Sequence, residues 1–185
     1  MALKIDDLHQ FRENFSNKNI GVTFSCWDLL HAGHNLFLAD SKNQCDILCV
    51  GLQTDPTLDR PEKNKPIQNI DEREIQIKSC RYVDYYFVYS TEKTLIDSLV
   101  DLKPDIRFLG DDYIGKKFTG DNFPIEIVFH PRSVHSYSTT ALRKHIYQME
   151  LNKINKQKEL DEINYTEKYI CDDTKCCLND RHKSI

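Results

Sequence analysis

The sequence contains no apolar run approaching the roughly 20 residues a membrane-spanning helix needs, so no contact with the bilayer is expected of it. It also lacks an excess of positive charge. Its 25 Lys and Arg stand against 29 Asp and Glu, a formal net charge of −4. That argues against nucleic acid as a partner, because non-specific binding needs a strongly basic surface. A secretory pattern is missing too: Met1 to Asn19 is polar and mixed in charge, unlike a signal or transit peptide. The seven cysteines are odd in number and do not form a secreted disulfide framework. A reducing, cytoplasmic setting is expected, with Cys26, Cys45, Cys49 and Cys80 as buried apolar fillers. No internal repeat is present.

The 185 residues allow one domain with a real core plus an extension. Residues 1–18 read as a lead-in helix, with Ile5, Leu8, Phe11 and Phe15 at helical spacing. Residues 19–150 alternate strand-like and helix-like segments. Strands are expected at Asn19–Phe24, Cys45–Leu52, Asp84–Val88, Ile106–Leu109 and Ile125–Phe129. Helices are expected at Ala32–Ser41, Asn69–Cys80, Thr91–Leu102 and Ser138–Met149. In the first of these helices Leu36, Phe37 and Ala39 are expected to face inward. The alternation predicts an α/β, Rossmann-like domain with a mostly parallel sheet flanked by helices. Residues 151–185 form a charged helical extension and a polar tail. Cys171, Cys176, Cys177 and His182 in that tail fit no standard zinc spacing.

Right-handed crossovers put the loops after parallel strands along one edge, where ligands bind. The run Trp27-Asp28-Leu29-Leu30-His31-Ala32-Gly33-His34 follows the first apolar strand of this domain and so falls on that edge. Helical spacing stacks His31 and His34 on one face of the first turn. A helix N-terminus presents unpaired N–H groups and partial positive charge, a ready anion site. Gly33, having no Cβ, permits close approach. Asp28 reads as a loop organiser that accepts backbone N–H bonds. Ser138, Thr139 and Thr140 open a second helix and form a second anion site of the same kind.

Ser25-Cys26-Trp27-Asp28-Leu29-Leu30-His31-Ala32-Gly33-His34 resembles the nucleotide-binding signature of the cytidylyltransferase-like nucleotidyltransferases. Arg81-Tyr82-Val83-Asp84, Lys103-Pro104-Asp105, Gly110-Asp111-Asp112-Tyr113, Pro131-Arg132 and Ser138-Thr139-Thr140 follow in that family's order. The set is most similar to the glycerol-3-phosphate cytidylyltransferase branch, over about residues 19–148. The resemblance implies transfer of CMP from CTP to a small polyol phosphate, with release of pyrophosphate. It implies Mg²⁺ carried mainly by the triphosphate, no metal site built from protein ligands, and a homodimer.

By the same resemblance, His31, His34, Lys63, Lys65 and Arg132 act on the phosphates. Ser25, Cys26, Trp27, Gly33, Asp111, Arg132, Ser138, Thr139 and Thr140 line the nucleotide, and Asp28, Arg81 and Asp112 meet the acceptor. Arg73 is either structural or reaches substrate. Asp84 is expected to pair with Arg81. Two departures stand out. Ser25 replaces a glycine usual in the family, and Ser133-Val134-His135-Ser136-Tyr137 replaces a shorter Thr-Glu-Gly-Ile. Cys26 with His31-Ala32-Gly33-His34 also resembles adenylyltransferases that act on sugar phosphates. A nucleotide-binding module without turnover is the third reading.

Overall fold

The computed structural model describes residues 1–132 and 135–176, the side chains of 167–176 excepted. The elements are β1 (Leu3–Lys4), α1 (Leu8–Asn14), β2 (Ile20–Ser25), α2 (Ala32–Lys42), β3 (Ile47–Gln53), α3 (Ile70–Ser79), β4 (Tyr85–Tyr89), α4 (Glu92–Leu102), β5 (Ile106–Gly110), β6 (Glu126–His130) and α5 (Thr139–Cys176). Short 3₁₀ turns at Pro56–Leu58 and Asp111–Tyr113 follow β3 and β5.

The six strands form one sheet in the order β1-β4-β3-β2-β5-β6, and every pairing is parallel. From β2 the chain steps outward to β3 and β4, then returns to lay β5 against the other side of β2. The order therefore reverses between β2 and β5. The crevice beyond their C-terminal ends is where a doubly wound sheet receives its ligand.

The two faces of the sheet carry separate cores, because successive strand side chains point to opposite sides. Leu48, Val50 and Leu52 of β3 pack with Leu38 of α2 and Ile77 of α3. Ile47 and Cys49 of the same strand pack with Phe11 of α1 and Leu95, Leu99 and Leu102 of α4. β3 is buried along its whole length, which explains its unbroken apolar sequence. Capping fixes the helix starts. Asn69 and Glu72 bond reciprocally ahead of α3, and Thr91 and Thr94 ahead of α4. Lys103 closes α4 in the left-handed conformation, at φ +44°.

The elements differ from the expected ones in two places. The lead-in contains β1, which pairs with β4, and a helix of seven residues only. On α2 the buried apolar residue is Leu38, whereas Leu36 is 47% exposed. Gly33, Leu38 and Ser41 form the inward stripe, which leaves Leu36 on the outer flank. The last helix continues from Thr139 through the charged segment after Met149, where a helical extension was expected, and runs to Cys176.

The chain divides into two compact units, Met1–Thr139 and Thr140–Ile185. The second consists, as far as it is described, of α5 after its first residue; its side chains through Tyr165 and Thr166 are largely exposed. Among the described residues no helix is long and apolar enough to cross a membrane. Cys177 and His182 lie outside the described residues, as do the side chains of Cys171 and Cys176.

Candidate active site

The loop between β2 and α2 is held in an unusual shape. Trp27 and Leu29 both take positive φ, +51° and +50°, a conformation that costs an L-residue roughly 1–2 kcal/mol. The surroundings compensate. The Trp27 indole is 2% exposed, and its N–H donates to the Gly51 carbonyl at 3.0 Å. Leu29 N–H donates to Gln68 Oε1 at 2.7 Å. Asp28, itself buried, accepts from Ile67 N–H at 3.1 Å and Gln68 N–H at 3.0 Å. Asp28 thus clamps the segment ahead of α3 onto the motif loop. That is the organising role read from the sequence, and it engages both carboxylate oxygens.

Arg73 reinforces the same clamp. Its guanidinium is 2% exposed. It donates to the carbonyls of Gln53 (2.6 Å), Thr54 (2.6 Å), Cys26 (2.8 Å), Gln68 (3.1 Å) and Asn69 (3.2 Å). One side chain therefore ties the ends of β2 and β3 to the start of α3, and of the two roles offered for Arg73 the structural one is found. Cys26 beside it is a half-buried thiol, pushed up to about 11 by desolvation, and stays protonated at neutral pH. Its carbonyl is its main polar contact.

His31 and His34 stack face to face, ring centroids 3.9 Å apart and planes 20° from parallel. Both cap α2. His31 Nδ1 accepts from Gly33 N–H at 3.1 Å, and His34 Nδ1 accepts from His31 N–H at 3.4 Å. An Nδ1 that accepts cannot carry a proton, so each neutral ring holds its hydrogen on Nε2. His31 Nε2 lies 3.3 Å from Thr139 Oγ1, and that hydroxyl lies 3.4 Å from the Asp28 carbonyl. Thr139 opens α5, so residues from the two helix starts meet here. Ser138 precedes it; Thr140, next on the helix, begins the second unit.

Burial, then the neighbouring Arg132 and His135, lower the pKa of His31. Burial, then His31 and Arg132, push His34 down to about 3. Both rings are therefore neutral hydrogen-bond donors at neutral pH. The Trp27 ring lies edge-on to His34 at 5.3 Å.

The other expected residues divide by edge. Asp111 and Asp112 follow β5, and Arg132 follows β6, on the same edge as His31. Arg132 Nη1 bonds Asp112 Oδ1 at 3.0 Å. A side chain at Gly110 would run into Asp112 and meet Arg132 Cδ at 2.6 Å, so glycine there permits the pair. Lys63 and Lys65 are exposed in the loop after β3. The base of that loop is held by Arg60, which donates to Gln53 Oε1 at 3.0 Å and pairs with Glu92 at 3.2 Å.

Arg81 is not brought to this edge. It lies in the turn before β4, at the opposite edge, with its guanidinium over the Tyr82 ring at 5.3 Å. Asp84 pairs with Lys42 at 2.7 Å and accepts from Leu48 N–H at 2.8 Å, not from Arg81. Asp105, of the Lys-Pro-Asp motif, accepts from Arg12 at 3.1 and 3.2 Å and from Ile20 N–H at 2.8 Å, also at the far edge. These aspartates hold strand starts together.

Two histidines escaped the sequence reading as site residues. His130 is 8% exposed and bonds Asp40 Oδ2 through Nδ1 at 2.8 Å. His135 lies beside Gly33 and stacks on Tyr137 at 5.2 Å. The signal for His135 was its place in the stretch that departs from the family pattern.

Residues 22–156 match the cytidylyltransferase-like family. Among curated proteins, the chain is 32% identical over 143 residues to the bifunctional protein HldE of Campylobacter concisus, covering 77% of this chain and 30% of that one. It is 36% identical over 140 residues to the bifunctional protein HldE of Helicobacter pylori strain P12, covering 75% and 30%. The chain thus spans about 30% of the length of these relatives. The crystal structure of the lipopolysaccharide core biosynthesis protein from Thermoplasma volcanium GSS1 superposes with a TM-score of 0.50 at 24% identity. That likeness covers 62% of this chain and 97% of the other and concerns the fold. A match that begins within β2, runs through the histidine pair and both carboxylates of Gly110-Asp111-Asp112, and ends inside α5 takes in every part of the edge just described: the chain belongs to the cytidylyltransferase-like family of nucleotidyltransferases.

Proposed function

We propose that the chain transfers a nucleoside monophosphate from a nucleoside triphosphate to the phosphate of a small polyhydroxylated acceptor. An acceptor phosphate oxygen forms a bond to the α-phosphorus. The bond from that phosphorus to the bridging oxygen breaks, and pyrophosphate leaves with the electron pair. The observation that carries this reading is the stacked pair His31 and His34 at the start of α2, beside the point where the sheet order reverses. Two neutral imidazoles with Nε2–H donors suit an oxyanion whose charge grows in the transition state.

The nucleophile is already an anion, so no strong base is required. The work is positioning and charge stabilisation. His31 and His34 would donate to the α-phosphoryl group and the leaving oxygen. Arg132 would exchange Asp112 for phosphate. Lys63 and Lys65 would close over the triphosphate as mobile charges. Among the described residues no group of three His, Cys, Asp or Glu side chains could hold a metal ion. The donors at the site are mainly imidazole, guanidinium and hydroxyl, which suits Mg²⁺ carried on triphosphate oxygens and water. In that place it would neutralise phosphate charge.

Two substrate pairs are in contention. CTP with glycerol 3-phosphate follows from the motif set as a whole. ATP with a sugar phosphate follows from Cys26 and the histidine motif, and the departures at Ser25 and at 133–137 put both the nucleotide and the acceptor of the first pair in question. The relatives named HldE share 32–36% identity with the chain. The test is pyrophosphate release with ATP and CTP, each against glycerol 3-phosphate and a panel of sugar phosphates. Turnover is expected with ATP and a sugar phosphate. Turnover with CTP and glycerol 3-phosphate alone would restore the first pair, and none with any pair would overturn the proposal. A homodimer belongs to the same reading and is checked by sedimentation equilibrium.

A further inference from the structure

The segment between Arg132 and α5 carries a third imidazole at the histidine pair. A Cβ placed on Gly33 would lie 3.0 Å from His31 Cε1 and 3.1 Å from His135 Cε1, so both rings flank one backbone point at the start of α2. The His135 ring is held by stacking on Tyr137, 5.2 Å between centroids with planes 27° apart. His130 lies 6.3 Å beyond it. His135 is near enough to His31 to depress its protonation.

The three rings differ in what they have left to offer. His31 and His34 each commit Nδ1 to a backbone N–H of α2. His135 commits neither nitrogen: both are shielded from solvent and have no hydrogen-bond partner among the described residues. Buried polar atoms almost always have partners, and one without calls for an explanation. On a ring stacked on Tyr137 beside a helix start, the nitrogen that carries the hydrogen matches a ligand that brings acceptor oxygens.

We propose that His135 is a third imidazole of the triphosphate site, which donates its N–H to an oxygen of the phosphates that leave as pyrophosphate. This rests on the nucleotidyl-transfer reading above and extends it to a residue in the stretch where the chain leaves its family's pattern.

The test uses the full chain with ¹⁵N-labelled imidazoles, titrated with inorganic pyrophosphate and Mg²⁺, and the variants His135→Phe and His135→Gln. Phe keeps a ring to stack on Tyr137 and removes both nitrogens; Gln keeps a donor. The His135 signal is expected to move with those of His31 and His34 at one half-saturation. His135→Phe is expected to raise KM for the triphosphate about tenfold, the effect of losing a hydrogen bond to a charged group, with Gln recovering part. Movement of His31 and His34 with a static His135, or a KM in His135→Phe within twofold of the parent, would overturn this proposal alone. Static signals for all three, with no turnover, would overturn it together with the proposed function.

Discussion

Asp112 and Arg132 meet across the C-terminal ends of β5 and β6, Oδ1 and Nη1 3.0 Å apart, over a glycine that leaves them room. Both are about half exposed, so the pair contributes little stability. Its effect is to hold a planar donor fork at the ligand edge. Arg132→Ala is expected to lower kcat/KM about 10- to 100-fold, as for a lost hydrogen bond to a charged group. Arg132→Lys should recover little, because an ammonium cannot reproduce the fork. Steady-state pyrophosphate release measures both, and recovery by Lys to the parent rate would contradict this role.

Arg73 is expected to matter for stability first. Arg73→Ala leaves the buried carbonyl of Gln53 and the partly buried carbonyls of Cys26 and Thr54 without this donor. At about 1–3 kcal/mol for each stranded group, a loss of about 3 kcal/mol or more is expected. That corresponds to a fall in Tm of roughly 6–12 °C for a protein of this size. Differential scanning calorimetry checks it, and an unchanged Tm would remove Arg73 from its clamp.

Acid should destabilise the fold through the histidine pair. Burial and neighbouring charges hold His34 down to about 3 and His31 below its ordinary value. In the unfolded chain a histidine titrates near 6.5, at about the usual value. Below that pH the unfolded chain binds protons the folded chain refuses. The contribution is thus fully present above about pH 6.5 and is lost as pH falls toward 3. Urea unfolding at pH 7.5 and 5.5 should show the loss, and His34→Asn should shrink it. Equal pH dependence in parent and variant would contradict the assignment.

Much of this was legible in the sequence, and what was not has physical causes. The strand and helix alternation was readable because β3 is buried on both faces and α4 buries one clear stripe, Leu95, Leu99 and Leu102. The inward face of α2 was read correctly at Phe37, which packs on the core, but Leu36 was taken for Leu38, since all three are apolar and only packing selects among them. β1 is two residues long, too short for any periodicity to register. Motif order along the chain also hid which edge each motif serves. Residues 81–84 and Asp105 precede their strands, so they fall opposite His31, where Asp84 and Asp105 bind backbone N–H groups. The sequence left Arg73 between a structural role and a reach to substrate; five carbonyls from separate segments make it a core residue.

The central claim is that the imidazole donors at the start of α2 serve the chemistry. The direct measurement is the rate of pyrophosphate release by the parent and by His34→Asn, under the best triphosphate and acceptor pair. Asparagine keeps an acceptor for the His31 N–H and removes the Nε2 donor, so the helix start should survive. The expected result is a fall in kcat of about 100-fold or more, the effect of removing one transition-state hydrogen-bond donor, with folding intact by circular dichroism. A folded His34→Asn protein that turns over at the parent rate would contradict the claim.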